Sequence, residues 1–300
     1  MLLIIFLYAI FAMTNTIGKL LLDFVPPIFL ISLRMTLAGC VILTTQYLFY
    51  GLKKIDRKDF YLFFLMIFIH ILIPYVSEFV ALQSVAPSCA ALVFNLSPYF
   101  TALFSYIFFK EYMTLKKWVG FIIGFIGIYY LIVTQEMGII CLGINIPYLL
   151  LLIAVFTSSL GWIFLRILME KDYSPLQING VAMIGAGIVG FPISKILEGS
   201  VTIPWGQMQS FLSLLIAIIL LGNIIFYNFY GFLLKKYTAT LLSFVGFITP
   251  LFTALYDWLW LGISVNMSFF IASAIVGLGI YIFYQEELKQ GYVENTGIEL

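Results

Sequence analysis

Three ionisable side chains interrupt stretches that are otherwise apolar: Arg34, His70 and Glu78. In lipid a charge at a helix centre costs roughly 2.5–3.5 kcal/mol, so such groups face a protein interior or an aqueous cavity and do chemistry there. His70, Pro74, Ser77 and Glu78 are spaced i, i+4, i+7 and i+8, which puts them on one face of a helix. Helical rise from the ends of their apolar runs places Arg34 and Glu78 within about 3 Å of the same depth. They could pair, or share a ligand's charged groups. The competing reading is that Arg34 snorkels outward and Glu78 only touches headgroups. His70, the sole histidine, could relay a proton. More often a lone histidine of this kind is a hydrogen-bonding link between helices.

Polar and aromatic residues at helical spacing supply four more faces. Asn223, Tyr227 and Tyr230 form a stripe at i, i+4 and i+7 that could stack a planar or cationic group and hydrogen-bond it. Asn95 with Tyr99, and Ser158 with Trp162, repeat the i, i+4 pattern, and Tyr8, Ala12, Asn15 and Lys19 make a further line. Singly, each could be polar glue between helices. Together they predict one cavity lined from several helices.

The elements that would position these faces follow from composition. Of the 300 residues 63% are hydrophobic and 10% charged, with a mean hydropathy of +1.11. A soluble domain keeps about a quarter of its residues charged, so lipid must be the solvent here. Apolar runs fall at about 2–22, 28–50, 60–82, 88–109, 115–134, 146–168, 176–197, 209–234, 238–260 and 266–284, each near the roughly 20 residues a bilayer core requires. The first run lacks a basic leader and a cleavage site, and is expected to be a retained span. Cys40, Cys89 and Cys141 have no metal-like or disulfide spacing. The net charge of +1 gives no reason to expect a nucleic-acid partner.

Loop charge predicts orientation. Lys53, Lys54, Arg57 and Lys58 follow the second run, Lys110, Lys116 and Lys117 the fourth, Arg166 and Lys171 the sixth, Lys235 and Lys236 the eighth, and Lys289 the tenth. The other side has only Lys19 and Lys195. This bias puts both termini in the cytoplasm. The runs also divide into two sets of five. Ser97-Pro98-Tyr99-Phe100-Thr101-Ala102-Leu103 aligns with Thr249-Pro250-Leu251-Phe252-Thr253-Ala254-Leu255, Asp23-Phe24-Val25-Pro26 with Asp172-Tyr173-Ser174-Pro175, and Gly127-Ile128-Tyr129 with Gly279-Ile280-Tyr281. An odd number of helices per unit inverts the second copy. The expected fold is therefore an all-α polytopic membrane protein: ten transmembrane helices as two inverted five-helix repeats, residues 1–135 and 136–285, with 286–300 a short disordered cytoplasmic end. Inverted repeats place a binding site near the midplane between them. Pro98 and Pro250, at matched positions, are expected to bend their helices and act as gating joints. Gly120-x-x-x-Gly124 predicts close helix packing, with a homodimer as one use. Asp257 is expected at the interface.

Arg34 in Ser32-Leu33-Arg34-Met35, Pro98-Tyr99-Phe100-Thr101-Ala102-Leu103 before Lys110-Glu111, and Gly120, Gly124 and Gly127 are the residues in which the chain resembles the EamA-type ten-helix carriers of the drug/metabolite transporter superfamily. The second half departs from that pattern, with Gly262-Ile263 opposite Glu111 and Met183 opposite Arg34. The resemblance implies a bacterial inner-membrane carrier, monomer or homodimer, of amino acids, nucleotide-derived metabolites such as S-adenosylmethionine, or amphipathic drugs. The substrate-binding candidates are then Asn15, Arg34, His70, Glu78, Asn95, Tyr99, Trp162, Asn223, Tyr227 and Tyr230. No cofactor is expected. An intramembrane enzyme would need HExxH, paired aspartates or a Gly-x-Ser-x-Gly elbow, and none occurs. No ATP-binding motif is seen either, so active transport would use an ion gradient or exchange.

Overall fold

The computed structural model describes residues 2–85, 90, 93–134, 146–201, 205–252, 255–256 and 267–292. Their regular structure is helical: α1 (Leu2–Leu21), α2 (Pro27–Tyr50), α3 (Arg57–Leu82), α4 (Ser97–Phe109), α5 (Leu115–Thr134), α6 (Ile146–Met169), α7 (Pro175–Leu197), α8 (Met208–Leu233), α9 (Ala239–Phe252) and α10 (Met267–Lys289). Among the described residues six helices, α1, α2, α3, α6, α7 and α8, are long and apolar enough to cross a membrane. Large apolar side chains such as Phe49 and Ile188 point outward, as lipid-facing positions do.

Helix starts follow local chemistry. Pro27 and Pro175 open α2 and α7 at the position where a missing N–H costs nothing. The Ser174 hydroxyl caps α7 by accepting from the Gln177 N–H at 3.1 Å. The cap of α2 comes from across the fold. Glu198, just past α7, accepts from the Ile28 and Phe29 N–H groups at 2.7 and 2.8 Å, and Ser194 steadies its carboxylate.

Two long helix pairs organise the core: α2 on α7, and α5 on α10. Both cross at glycines. A Cβ at Gly39 would stand 2.9 Å from the Gly180 carbonyl, and one at Gly120 would stand 2.7 Å from the Gly279 carbonyl. Gly120-x-x-x-Gly124 is thus used within the chain, against α10 and Phe244. Small residues let backbones approach where lipid supplies no hydrophobic drive.

Both α3 and α8 contain a π-helical stretch, Met66–Leu72 and Ile219–Phe226. These begin 153 positions apart, close to the 152-residue offset of the sequence repeat. A π turn leaves carbonyls without their usual α-helical partner. In α8 the Asn228 amide takes up the carbonyls of Asn223 (3.2 Å) and Ile224 (2.9 Å). The matched prolines also follow helix interruptions: Pro98 comes after a turn at Asn95-Leu96, and Pro250 after the 3-10 stretch Gly246–Ile248.

The loops carrying most of the basic residues gather at one end, tied by charge. Lys117 pairs with Glu287, which also accepts from Thr238. Arg166 meets Glu111 at 2.5 Å, and Lys171 meets Asp59 at 2.5 Å. The hydrogen bond that the Lys171 ammonium donates to Asp59 raises its pKa above the usual lysine value. The expected disordered end is corrected over 286–289: α10 runs to Lys289, and Glu287 is buried because Lys117 requires a partner there. Residues 293–300 and Asp257 lie outside the described residues.

Candidate functional site

A cavity of about 1000 Å³, counted out to its mouth, is walled by α1, α3, α6, α8, α9 and the residues before and at the start of α4. Its aromatic side is built from three helices. Trp162 stacks on Tyr230 with centroids 3.9 Å apart, and Tyr227 lies 5.0 Å from Trp162 and 5.9 Å from Tyr75. Tyr8 adjoins this wall, its ring centroid 5.7 Å from that of Phe226, and its hydroxyl donates to the Leu242 carbonyl at 2.8 Å. Ring faces in this arrangement suit a planar or cationic guest.

Polar groups are few. Asn95 is buried and its Nδ2 has no hydrogen-bond partner, although it lines the cavity. A buried amide donor left unmet costs about 1–3 kcal/mol, a cost that an acceptor on a bound molecule would relieve. Glu78 also lines the wall, toward the end of α3 remote from the basic loops, and its carboxylate accepts no hydrogen bond from any described residue. Ser158 and Ser243 add hydroxyls.

The expected faces are partly brought together. Glu78, Asn95, Trp162, Tyr227 and Tyr230 line the cavity. Arg34 lines a smaller pocket beside it, which shares Glu78 and Tyr75. Arg34 and Glu78 do not close to an ion pair: Arg34 Nε instead donates to Asn223 Oδ1 at 2.6 Å. The stripe Asn223–Tyr227–Tyr230 is corrected. Asn223 turns to α2 while the tyrosines face the cavity, because the π stretch ends between them and shifts the register. The same holds for His70, which leaves the face of Pro74 and Glu78 and packs behind the wall. Its ring meets Trp162 edge-on at 4.5 Å and Tyr227 at 5.2 Å, and neither ring nitrogen has a hydrogen-bond partner. Gly161 makes the room: a Cβ there would lie 2.3 Å from His70 Nδ1. Tyr99 is corrected too, since its ring turns to Trp118, Phe121 and Phe125 of α5. Pro98 and Pro250 stand beside the cavity-lining Ser97 and Thr249. The Asn15 side chain lies outside the described residues.

Tyr75, Ser243 and Gly246 belong to the wall and escaped the sequence reading. Tyr75 stands three residues before Glu78 on the same face, which was a usable signal. Ser243 and Gly246 carry the i, i+3 spacing of ordinary helix packing, which was not. Among the described residues no three of His, Cys, Asp and Glu gather as metal ligands.

The sequence profile described as the EamA-like transporter family matches residues 1–133 and 145–285. A Chlamydia muridarum protein named S-adenosylmethionine/S-adenosylhomocysteine transporter is 32% identical, over 98% of this chain and 94% of its own length. One of the same name from Chlamydia trachomatis serovar D is 31% identical over 97% and 90%. An uncharacterized transporter of Archaeoglobus fulgidus is 27% identical over 86% and 89%. One solved crystal structure superposes with a TM-score of 0.73 at 18% identity, covering 96% of both chains, which shows a shared fold. Family and named relatives are transporters, which points away from an enzyme. With several membrane-spanning apolar helices around an aromatic cavity and a family match along nearly its whole length, the chain belongs to the EamA-like transporter family.

Proposed function

We propose that this transporter carries an adenosyl amino acid of the S-adenosylmethionine and S-adenosylhomocysteine type across a bacterial inner membrane by alternating access. The observation that carries the reading is the aromatic wall of Tyr75, Trp162, Tyr227 and Tyr230 beside an unmet amide at Asn95. Purine rings stack on such faces, amides read their edges, and a sulfonium is a cation that aromatic faces attract. The chlamydial relatives' names agree with it. The substrate-contacting residues would be Glu78, Asn95, Trp162, Tyr227 and Tyr230, with Pro98 and Pro250 as joints.

The architecture we infer is ten spans in two inverted units, residues 1–135 and 136–285, both termini cytoplasmic. The matched π stretches, the matched proline interruptions and the two glycine crossings support the repeat. The gathering of the basic loops at one end supports the sidedness. Rocking of one unit on the other would then expose the cavity alternately, with energy from exchange or an ion gradient.

A second reading, export of amphipathic cations, is favoured by Glu78, an unneutralised carboxylate beside aromatic rings. Thermal unfolding of detergent-purified protein separates the two. A ligand at a hundred times its Kd adds about 2.7 kcal/mol. Stabilisation by the adenosyl compounds is expected. Stabilisation only by hydrophobic cations would transfer the assignment to drug export.

A further inference from the structure

The pocket beside the main cavity measures about 280 Å³ counted out to its open mouth, and Arg34 and Glu78 stand on its wall with Thr14, Tyr75 and Phe79. Arg34 is 2% exposed and is held from several sides. Its Nε is tethered to Asn223 on the π stretch of α8 at 2.6 Å, and its guanidinium carbon lies 5.0 Å from the Tyr75 ring centroid and 5.8 Å from that of Phe79. Gly222 clears the remaining side, since a Cβ there would lie 2.7 Å from Nη2. Among the described residues no carboxylate closes on Arg34 to ion-pair distance, although Glu78 shares its pocket. Every other ion pair described is closed to within 3.7 Å. Opposite charges in a poorly solvated site ordinarily collapse onto each other or stay paired with something else. Here the tether fixes one of them and the pocket keeps space between the two.

A group carrying both charges would match that pair of side chains. We propose that the side pocket is a subsite for the α-amino-acid head of the substrate. The Arg34 guanidinium donates to the carboxylate, and Glu78 accepts from the ammonium. The remainder of the ligand lies on the aromatic wall, which the pocket joins through Tyr75 and Glu78. Asn223 is then a positioning residue: it aims Arg34 without touching the ligand. The assignment rests on the adenosyl-amino-acid reading above and adds which part of the molecule is recognised where.

The test is competition against labelled S-adenosylhomocysteine on the purified full chain. The competitors are S-adenosylhomocysteine, its decarboxylated analogue, and methylthioadenosine, which lacks the head altogether. On the wild type, removing the carboxylate or the head should weaken binding roughly ten- to a hundredfold, the size of hydrogen bonds to charged groups. In Arg34→Gln the gap between the amino acid and its decarboxylated analogue should shrink to near unity. Glu78→Gln should weaken the compounds that carry the ammonium and leave methylthioadenosine unchanged. Should Arg34→Gln fail to fold, Glu78→Gln decides alone, because no described residue depends on that carboxylate for a hydrogen bond. Wild-type protein that binds methylthioadenosine as tightly as S-adenosylhomocysteine overturns the subsite, as does an equal loss for all three compounds in Glu78→Gln. Absence of any adenosyl binding to the wild type overturns the substrate reading itself, and the subsite with it.

Discussion

The basic end and the cavity wall treat buried polarity in opposite ways. At the basic end Lys117 and Glu287 are almost fully buried and meet each other, Arg166 meets Glu111, and Lys171 meets Asp59. Along the cavity Glu78 accepts no hydrogen bond from a described residue, and Asn95 keeps an unmet donor. A paired charge holds helices together, whereas an unmet polar group in the same dielectric is a cost that only a ligand or water can relieve. The described ion pairs thus gather at the basic end, while Glu78 and the Asn95 amide donor have no such partner along the cavity. Substitutions at the two places should fail in different assays.

The largest effect on stability is expected at the basic end. Lys117→Met would strand the Glu287 carboxylate and cost about 3–5 kcal/mol. Much of this should return in the double variant Lys117→Met, Glu287→Leu, as read by thermal unfolding. If the single variant melts like wild type, the pair is not a fastening. Trp162→Ala is the counterpart in the cavity. It should weaken adenosyl-ligand binding by about 1–3 kcal/mol, the worth of one stacked base. Gly161→Ala links the regions of wall and scaffold, because its methyl group would collide with His70. Overpacking of this kind costs roughly 1–3 kcal/mol, and the Trp162–Tyr227 wall should be disturbed with it, so both melting and binding should suffer. A variant in which only melting falls would show that the wall does not lean on His70. Glu198→Gln, which weakens the cap of α2, should lower stability by about 1 kcal/mol and leave ligand affinity alone. The smallest effect is expected from Tyr99→Phe, since that ring packs on α5: equilibrium binding should not move.

Much of the helical layout was legible because hydropathy and helix-start chemistry are local properties of the chain. The apolar runs expected at 28–50 and 176–197 correspond to α2 and α7, each opened by a proline. The site was legible only where helices stay regular. Ser158 and Trp162, four residues apart on an unbroken α6, share the cavity as their spacing required. Asn223 and Tyr227 have the same spacing and separate, since a π stretch supported by Asn228 falls between them. That stretch depends on tertiary partners such as Asn179, whose amide takes the Tyr227 carbonyl at 3.3 Å. No window of α8 alone contains this information. Arg34 shows the same limit. It lines a pocket with Glu78, yet its hydrogen-bond partner came from a residue 189 positions away.

Counterflow in proteoliposomes puts the carrier reading to direct trial: vesicles loaded with unlabelled S-adenosylhomocysteine are placed in dilute labelled S-adenosylmethionine. Alternating access for both adenosyl compounds predicts transient accumulation of label above equilibrium in wild-type vesicles and its loss in Trp162→Ala. Wild-type vesicles that accumulate no label, or a Trp162→Ala protein that accumulates as much as wild type, would contradict it.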